Sequence, residues 1–363
     1  MKTTSPSRSR PVAIWIMIGV GMLLVMVVLG GITRLTGSGL SITEWNVVTG
    51  AVPPMNEQKW IEEFEKYKQT PQFKLLNFDF TLSDFKNIYF WEWFHRFWGR
   101  LIGIAFAIPF VIFLIQKRFK KEMVGPLVLL FLFGALQGAI GWIMVKSGLS
   151  GDAVYVKPTR LALHFVFALG LIAYAWWFAL KLLVNEGQRT TAPKLRSFTG
   201  WIIVITFLQL IFGALMAGHK AANVASTWPT INEQWVPDSL FRESPLMFNF
   251  IDNKITVHFV HRGLAYILLL LTIIWGFKAF KVHNASSPFR KVRWIPMALV
   301  FLQVILGIYS LFESRYIVPG HWGNFEWLAQ LHQLVGMLFL LSLISMLFLL
   351  RKHPRSILSE GLI

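Results

Sequence analysis

The sequence predicts an all-α integral membrane protein, and three observations support this fold class. First, 55% of the 363 residues are hydrophobic and the mean hydropathy is +0.55, above the range of soluble domains. Second, eight stretches approach the roughly 20 apolar residues that cross a bilayer. Third, polar residues recur at a fixed spacing between the two halves of the chain. Together they predict eight transmembrane helices, arranged as two parallel four-helix bundles related by a pseudo-twofold axis.

The eight predicted spans follow one another with unequal connections. The first is interpreted as a retained helix, because its apolar run exceeds the 7 to 15 residues typical of a signal-peptide core. The connections on one side alternate between long and short, at 34–90, 146–160, 218–255 and 313–327. The predicted spans are 12–33, 91–115, 124–145, 161–183, 198–217, 256–277, 294–312 and 328–350.

The basic residues predict the orientation in the membrane. The net charge of +17 would suggest nucleic-acid binding in a soluble protein, but in a membrane protein basic residues collect in cytoplasmic loops. Of the 35 Lys and Arg residues, 19 lie in the termini and in the three connections that share their side. Both termini are therefore predicted to be cytoplasmic, with membrane lipid and not nucleic acid as the surrounding partner. Because only ten polar residues precede the first span, we expect a bacterial inner membrane.

An internal repeat divides the chain at about residue 190. The tripeptide "FHR" at 94–96 recurs as "VHR" at 260–262, and "LQGAIG" at 136–141 recurs as "LQVILG" at 302–307, both 166 residues later. The predicted halves are 1–190 and 191–363. Because each half has an even number of spans, both enter the membrane in the same direction and the repeat is parallel.

Four of the nine histidines occupy matched places in this repeat. Each is predicted within the first two turns of its helix, at one depth toward the outer side. Two histidines on facing helices of a four-helix unit can clamp an iron porphyrin from both faces, whereas a zinc site needs further ligands. A buried hydrogen-bonding role is the alternative for any one of them. The predicted ligand pairs are His95 with His164 and His261 with His332.

Glycines and further histidines surround these positions. We expect Gly99 and Gly103, one and two turns after His95, to let a flat ring approach the helix. His258 shares a helix face with His261 and could itself be the ligand, although His261 is the residue that matches His95.

The chain has no cysteine, which excludes thiolate metal sites, iron–sulfur clusters and dithiol relays. The remaining histidines are His219 and His321 in outer loops, with a surface or proton-path role, and His283 and His353, predicted to be solvated.

One difference between the halves singles out Glu92. The same offset of 166 residues places His258 where Glu92 would recur. A carboxylate near an axial histidine can accept a proton or stabilise a developing positive charge. The alternative is an ion pair with Arg96, four residues on. Arg96 and Arg262 each follow a predicted ligand, where a guanidinium could bind a porphyrin propionate or could simply reach the membrane interface.

Over nearly all of its length, the sequence resembles the haem A synthase family, specifically the branch shared by many proteobacteria and mitochondria. Two long stretches carry the resemblance, "LGGITRLTGSGLSITEWNVVTGAVPP" and "EWFHRFWGRLIG", together with "VHFVHRGLAY" and "LAQLHQLVG". The resemblance implies oxidation of the C8 methyl of haem O to the formyl of haem A. It implies that His95 and His164 hold haem O, that His261 and His332 hold a haem b cofactor, and that Glu92 is catalytic.

The electron path and the partners of this chain are the next features that the resemblance concerns. Some family members carry a cysteine pair in an outer loop, and this chain has none. The electron acceptor is therefore open, while haem O synthase and a second copy of the chain are candidate partners. The competing interpretations are a quinone-linked diheme b-type electron carrier without porphyrin chemistry, a transporter, and a haem exporter or chaperone.

Overall fold

The computed structural model describes residues 6–45 and 49–351, and eight of its helices are long and apolar enough to cross a membrane. Their positions confirm the eight predicted spans. Lys2, Lys352, His353 and Arg355 lie outside the described part. The spanning helices are α1 (Pro6–Leu35), α4 (Leu82–Ile115), α5 (Lys121–Lys146), α6 (Pro158–Leu183), α7 (Pro193–Gly218), α8 (Lys254–Phe280), α10 (Ile295–Glu313) and α11 (Asn324–Leu349).

The described residues also include three short α-helices, two short strands and five short 3-10 helices. Helices α2 (Glu57–Lys68) and α3 (Pro71–Leu76) lie in the first long connection, and α9 (Ser287–Val292) precedes α10. Strands β1 (Thr190–Thr191) and β2 (Leu350–Arg351) pair in parallel, with Thr190 opposite Leu350. This pairing ties the middle of the chain to the end of α11.

The spanning helices form two rings of four that meet along one interface. In the first half, α1 contacts α4 and α6, and α5 contacts α4 and α6; in the second half, α7, α8, α10 and α11 make the corresponding contacts. Helices α6 and α7 join the halves, and α11 packs against both α1 and α6. The boundary near residue 190 and the twofold relation between the halves stay predictions.

Amide side chains on α11 anchor it to α1 at this interface. Gln330 Nε2 donates to the Val28 carbonyl at 3.3 Å, and Gln333 Nε2 donates to the Val27 carbonyl at 2.9 Å. Gly31 permits this close approach, since a Cβ there would clash with Gln330 Oε1. The turn of α11 that carries His332 is thus held directly against the first half.

The start of α4 corrects one prediction. Thr81 and Asp84 form a capping box, in which Thr81 Oγ1 accepts from Asp84 N and Asp84 Oδ2 accepts from Thr81 N at 2.9 Å. The helix therefore begins more than three turns before His95, and the prediction that His95 lies in its first two turns is wrong. The signal was present as "TLSD" at 81–84, outside the apolar run that defined the span.

We call the end of the protein that carries the long connections 34–90 and 218–255 the loop end. In the first half, an outer layer of aromatic residues covers this end. Phe64 and Tyr67 of α2 pack on Phe85 of α4, with ring centroids 5.1 Å and 5.3 Å apart. Burial raises the pKa of Tyr67 to about 12. Lys66 bonds Glu63 and Glu44, which raises the pKa of its ammonium group and ties α2 to the loop after α1.

Candidate functional site

Each of the four matched histidines lies against a glycine of a neighbouring helix. A Cβ added to Gly141 would lie 2.9 Å from His164 Cε1, and one added to Gly307 would lie 3.0 Å from His332 Cε1. Such distances are shorter than an ordinary van der Waals contact, so a side chain at these positions would displace the imidazole ring. The histidine–glycine pairs are His95–Gly30, His164–Gly141, His261–Gly213 and His332–Gly307.

His261 on α8 and His332 on α11 face each other across the second half. Their ring centroids are 6.4 Å apart, with the ring planes at 68°. A metal–imidazole bond is about 2 Å long. Two such bonds, plus the distance from each coordinating nitrogen to its ring centre, span a separation of this size. The pair therefore fits axial coordination of one iron atom between the rings.

His95 and His164 form the corresponding pair in the first half, on α4 and α6. Both side chains are partly buried. Gly30 and Gly141, on the two adjoining helices, make room for these rings. Among the residues the structure describes, no group of three or more His, Cys, Asp or Glu side chains could hold a metal ion. Two-histidine axial coordination of a porphyrin iron suits this donor set.

Glutamine side chains contact three of the four histidines. Gln137 Nε2 lies 3.2 Å from His164 Nδ1 and donates to the His164 carbonyl at 3.0 Å. Gln303 Nε2 lies 3.2 Å from His332 Nε2, while His332 Nδ1 donates to the Gln303 carbonyl at 3.0 Å. That second bond fixes the Nδ1–H tautomer and leaves Nε2 as the nitrogen able to bind a metal.

The third glutamine is one that the sequence analysis missed. Gln209 Nε2 lies 3.4 Å from His261 Nε2, one turn before Gly213. The stretch "LQLIFG" at 208–213 is a third copy of "LQGAIG" and "LQVILG". A search for Leu-Gln-x-x-x-Gly within single helices, in addition to the 166-residue offset, would have found it.

Glu92 is buried, and both of its carboxylate oxygens accept hydrogen bonds. Its Oε1 accepts from Arg96 Nη2 at 2.6 Å, which is the ion pair considered from the sequence. Its Oε2 accepts from Ser41 N at 2.7 Å, Ser41 Oγ at 2.8 Å and Ile42 N at 2.9 Å. Four donors around one carboxylate stabilise the loop after α1 against the loop end of α4.

His258 makes the corresponding contact in the second half. Its Nε2 donates to the Ala221 carbonyl at 2.7 Å, and the side chain is only 1% exposed. The ring is therefore engaged with the loop after α7, whereas His261 faces His332. This contact favours His261 over His258 as the ligand, in agreement with the repeat.

The two arginines also bond loop carbonyls. Arg96 donates from Nη1 to Glu44 O at 3.2 Å and from Nη2 to Ile42 O at 3.1 Å. Arg262 donates to the carbonyls of Thr227, Thr230 and Ala225. The predicted propionate contacts stay predictions, and a propionate would compete with these carbonyls for the Nη atoms.

The structure also places the other described histidines and the two glycines that follow His95. His219 Nε2 donates to the Ile251 carbonyl at 2.6 Å, so it holds the second long connection together. His283 and His321 are exposed. The space beside Gly99 is filled by Met26, whose Cε would lie 3.3 Å from an added Cβ, whereas a Cβ added at Gly103 would meet no atom of another helix within 4 Å. At Gly99 a methionine therefore occupies the position expected for a flat ring.

A polar cavity of about 330 Å³ opens next to the Glu92–Arg96 pair at the loop end. Its lining includes residues of both charge signs, namely Lys59, Arg96 and Arg100 together with Glu44, Glu62 and Glu63. Arg96, whose Nη2 donates to Glu92 Oε1, lines this cavity.

Gly141→Ala is expected to weaken haem retention in the first half by about fivefold. The added Cβ would force the His164 ring away from its present position, and an off-rotamer side chain costs about 1 kcal/mol. Gly138→Ala is the matched control, since nothing lies within 4 Å of an added Cβ three residues away on the same helix. The measurement is haem content per purified protein. Equal haem content in both variants would contradict the role assigned to Gly141.

Comparisons with known proteins agree on one family. The family model described as COX15-CtaA, cytochrome oxidase assembly protein, matches residues 13–344. The chain is 44% identical to "Heme A synthase" of Parvibaculum lavamentivorans, over 84% of this chain and 86% of the relative. It is 42% identical to "Heme A synthase" of Flavobacterium psychrophilum, over 92% and 96%, and 40% identical to that of Rhodopseudomonas palustris, over 96% and 92%. No solved structure matches.

Proposed function

The chain belongs to the COX15-CtaA family of cytochrome oxidase assembly proteins, and we infer that it acts as a haem A synthase. Relatives of that name cover most of the chain at about 40% identity. The observation in the molecule that carries the inference is the presence of two histidine pairs, each set against glycines in one half of an eight-helix membrane protein. The resemblance found in the sequence leads to the same function.

His95 and His164 are proposed to bind the substrate, haem O, and His261 and His332 to bind haem b. The difference between the halves supports this assignment, because Glu92 stands beside the first pair and His258 beside the second. A carboxylate suits the site where protons are removed, whereas a site that only transfers electrons does not need one.

The reaction converts a methyl group to a formyl group. In balanced form, R–CH3 and H2O give R–CHO, four protons and four electrons, so that water supplies the oxygen atom. When bound, haem b would supply a one-electron acceptor within the protein. Glu92 is proposed to accept a proton or to stabilise positive charge on the substrate, and the polar cavity beside Arg96 is a route by which protons can leave. The final electron acceptor is a further partner of unknown identity.

The setting is proposed to be a bacterial inner membrane. Both termini would be cytoplasmic, and both haem sites would lie toward the periplasmic loop end, as the distribution of basic residues predicts. Haem O synthase is the proposed source of substrate, and a homo-oligomer is a further proposed association. Arg96 and Arg262 lie at the loop end, where propionates of an upright haem would contact them.

Extraction and identification of the bound pigment test this function. The purified protein is expected to contain haem b together with haem O, its hydroxylated form or haem A. Haem B alone would instead favour the diheme electron carrier. A colourless protein, produced with an adequate haem supply, would contradict both functions.

A further inference from the structure

The four histidines are not held equally. Gln137, Gln209 and Gln303 each lie within hydrogen-bonding distance of a histidine nitrogen, one turn from the glycine that faces the same ring. On α1 the corresponding stretch is "VMVVLG" at 25–30, in which Met26 replaces the glutamine. Among the described residues, the His95 ring has no hydrogen bond.

Met26 has the same position relative to Gly30 that each glutamine has relative to its own glycine. It is one turn before Gly30, whose added Cβ would lie 3.3 Å from His95 Nε2. Its Cε packs against the position of Gly99, one turn from His95 on α4. A thioether cannot donate a hydrogen bond and is only a weak acceptor, so this neighbour does little to orient the imidazole ring.

The three glutamines have unused hydrogen-bonding capacity at the same place. The Oε1 atoms of Gln137, Gln209 and Gln303 are buried and have no partner among the described residues, and neither has His261 Nδ1. At His332 the ring N–H already bonds the Gln303 carbonyl, and at His164 and His261 an amide that turns over would place its oxygen to accept a ring N–H. Such bonds to a ligand histidine fix its orientation and increase its basicity.

We propose that His95 is the ligand that would detach when haem O is loaded and haem A leaves, whereas the glutamines would hold the other three histidines firmly. This inference rests on the proposed function. A substrate haem must enter and leave in every cycle, which breaks iron–nitrogen bonds at one site only. A resident cofactor must stay, and both of its proposed ligands, His261 and His332, have a glutamine neighbour.

Carbon monoxide is a suitable probe, because it binds ferrous haem only where an axial ligand is released. In the reduced, purified full-length protein, CO is expected to bind the haem of the first half and not haem b. Met26→Gln supplies the missing amide and is expected to lower the CO affinity of that haem by about fivefold, the effect of one ordinary hydrogen bond. Met22→Gln is the matched control, since it places the same amide one turn further from Gly30 and is expected to leave CO affinity unchanged.

The reverse substitution tests the proposal independently of whether Met26→Gln folds. Gln209→Met gives His261 the neighbour that His95 has, and it is expected to make haem b reactive toward CO. Equal CO affinity in Met26→Gln and the unmodified protein, or haem b that is unreactive in Gln209→Met, would overturn the proposal. Its failure is distinguishable from failure of the proposed function, because the function is judged from which haems are extracted and the proposal from their ligand exchange.

Discussion

Glu92→Gln is expected to slow the conversion of haem O to haem A by about 100-fold or more, the lower range of what a positioned proton acceptor contributes. The amide keeps nearly the same shape and can still accept from Ser41 N and Ile42 N, which now bond Oε2. It cannot accept a proton at neutral pH and carries no charge to stabilise a cation. The measurement is haem A formed per haem O bound, in protein with its haem b content checked.

Two further variants separate the chemical role of Glu92 from its role as a loop anchor. Ser41→Ala removes one hydrogen bond of 2.8 Å but leaves the carboxylate, so we expect about 1 kcal/mol lower stability and nearly unchanged conversion. Glu92→Ala leaves the Ser41 and Ile42 N–H groups without their acceptor and Arg96 without its ion-pair partner, so it should lower the thermal unfolding midpoint as well as activity. If Glu92→Gln converted haem O at the normal rate, the carboxylate would be an anchor only.

His332→Ala is expected to abolish binding of haem b and, with it, formation of haem A, while haem O stays bound in the first half. The substitution removes one of the two rings that face each other at 6.4 Å and leaves the other half unchanged. His164→Ala is expected to give the opposite pattern, with haem b retained and haem O lost. Pigment extraction from each purified variant measures both contents, and loss of the same haem from both would contradict the assignment of one haem to each half.

His258→Ala is the matched control for this second prediction. Because His258 donates to the Ala221 carbonyl and does not face His332, its removal should loosen the loop after α7 and leave haem b in place. Loss of haem b from His258→Ala, with His261→Ala retaining it, would identify His258 as the ligand instead.

The sequence predicted more of the fold than of the contacts around the site. All eight spans were predicted, because a bilayer requires a long apolar run wherever a helix crosses it. The start of α4 was not, because its first turns lie outside the apolar run and are set by the Thr81–Asp84 capping box. The sequence led us to expect space for a flat ring at Gly99, but it did not predict that Met26 of α1 packs there. Contacts between two helices leave no pattern in the sequence of either helix.

The sequence by itself determined the membrane class, the eight spans, the four histidines and the family resemblance, because each is written in local hydropathy or in residues at a fixed spacing. Only the tertiary structure decided which groups meet. It placed Ser41 and Ile42 on Glu92, Ala221 on His258 and three glutamines beside three histidines, through contacts between residues 27 to 52 positions apart. Hydrogen bonds of that kind depend on how helices are rotated and packed, and neither rotation nor packing can be inferred from the hydropathy of a single helix.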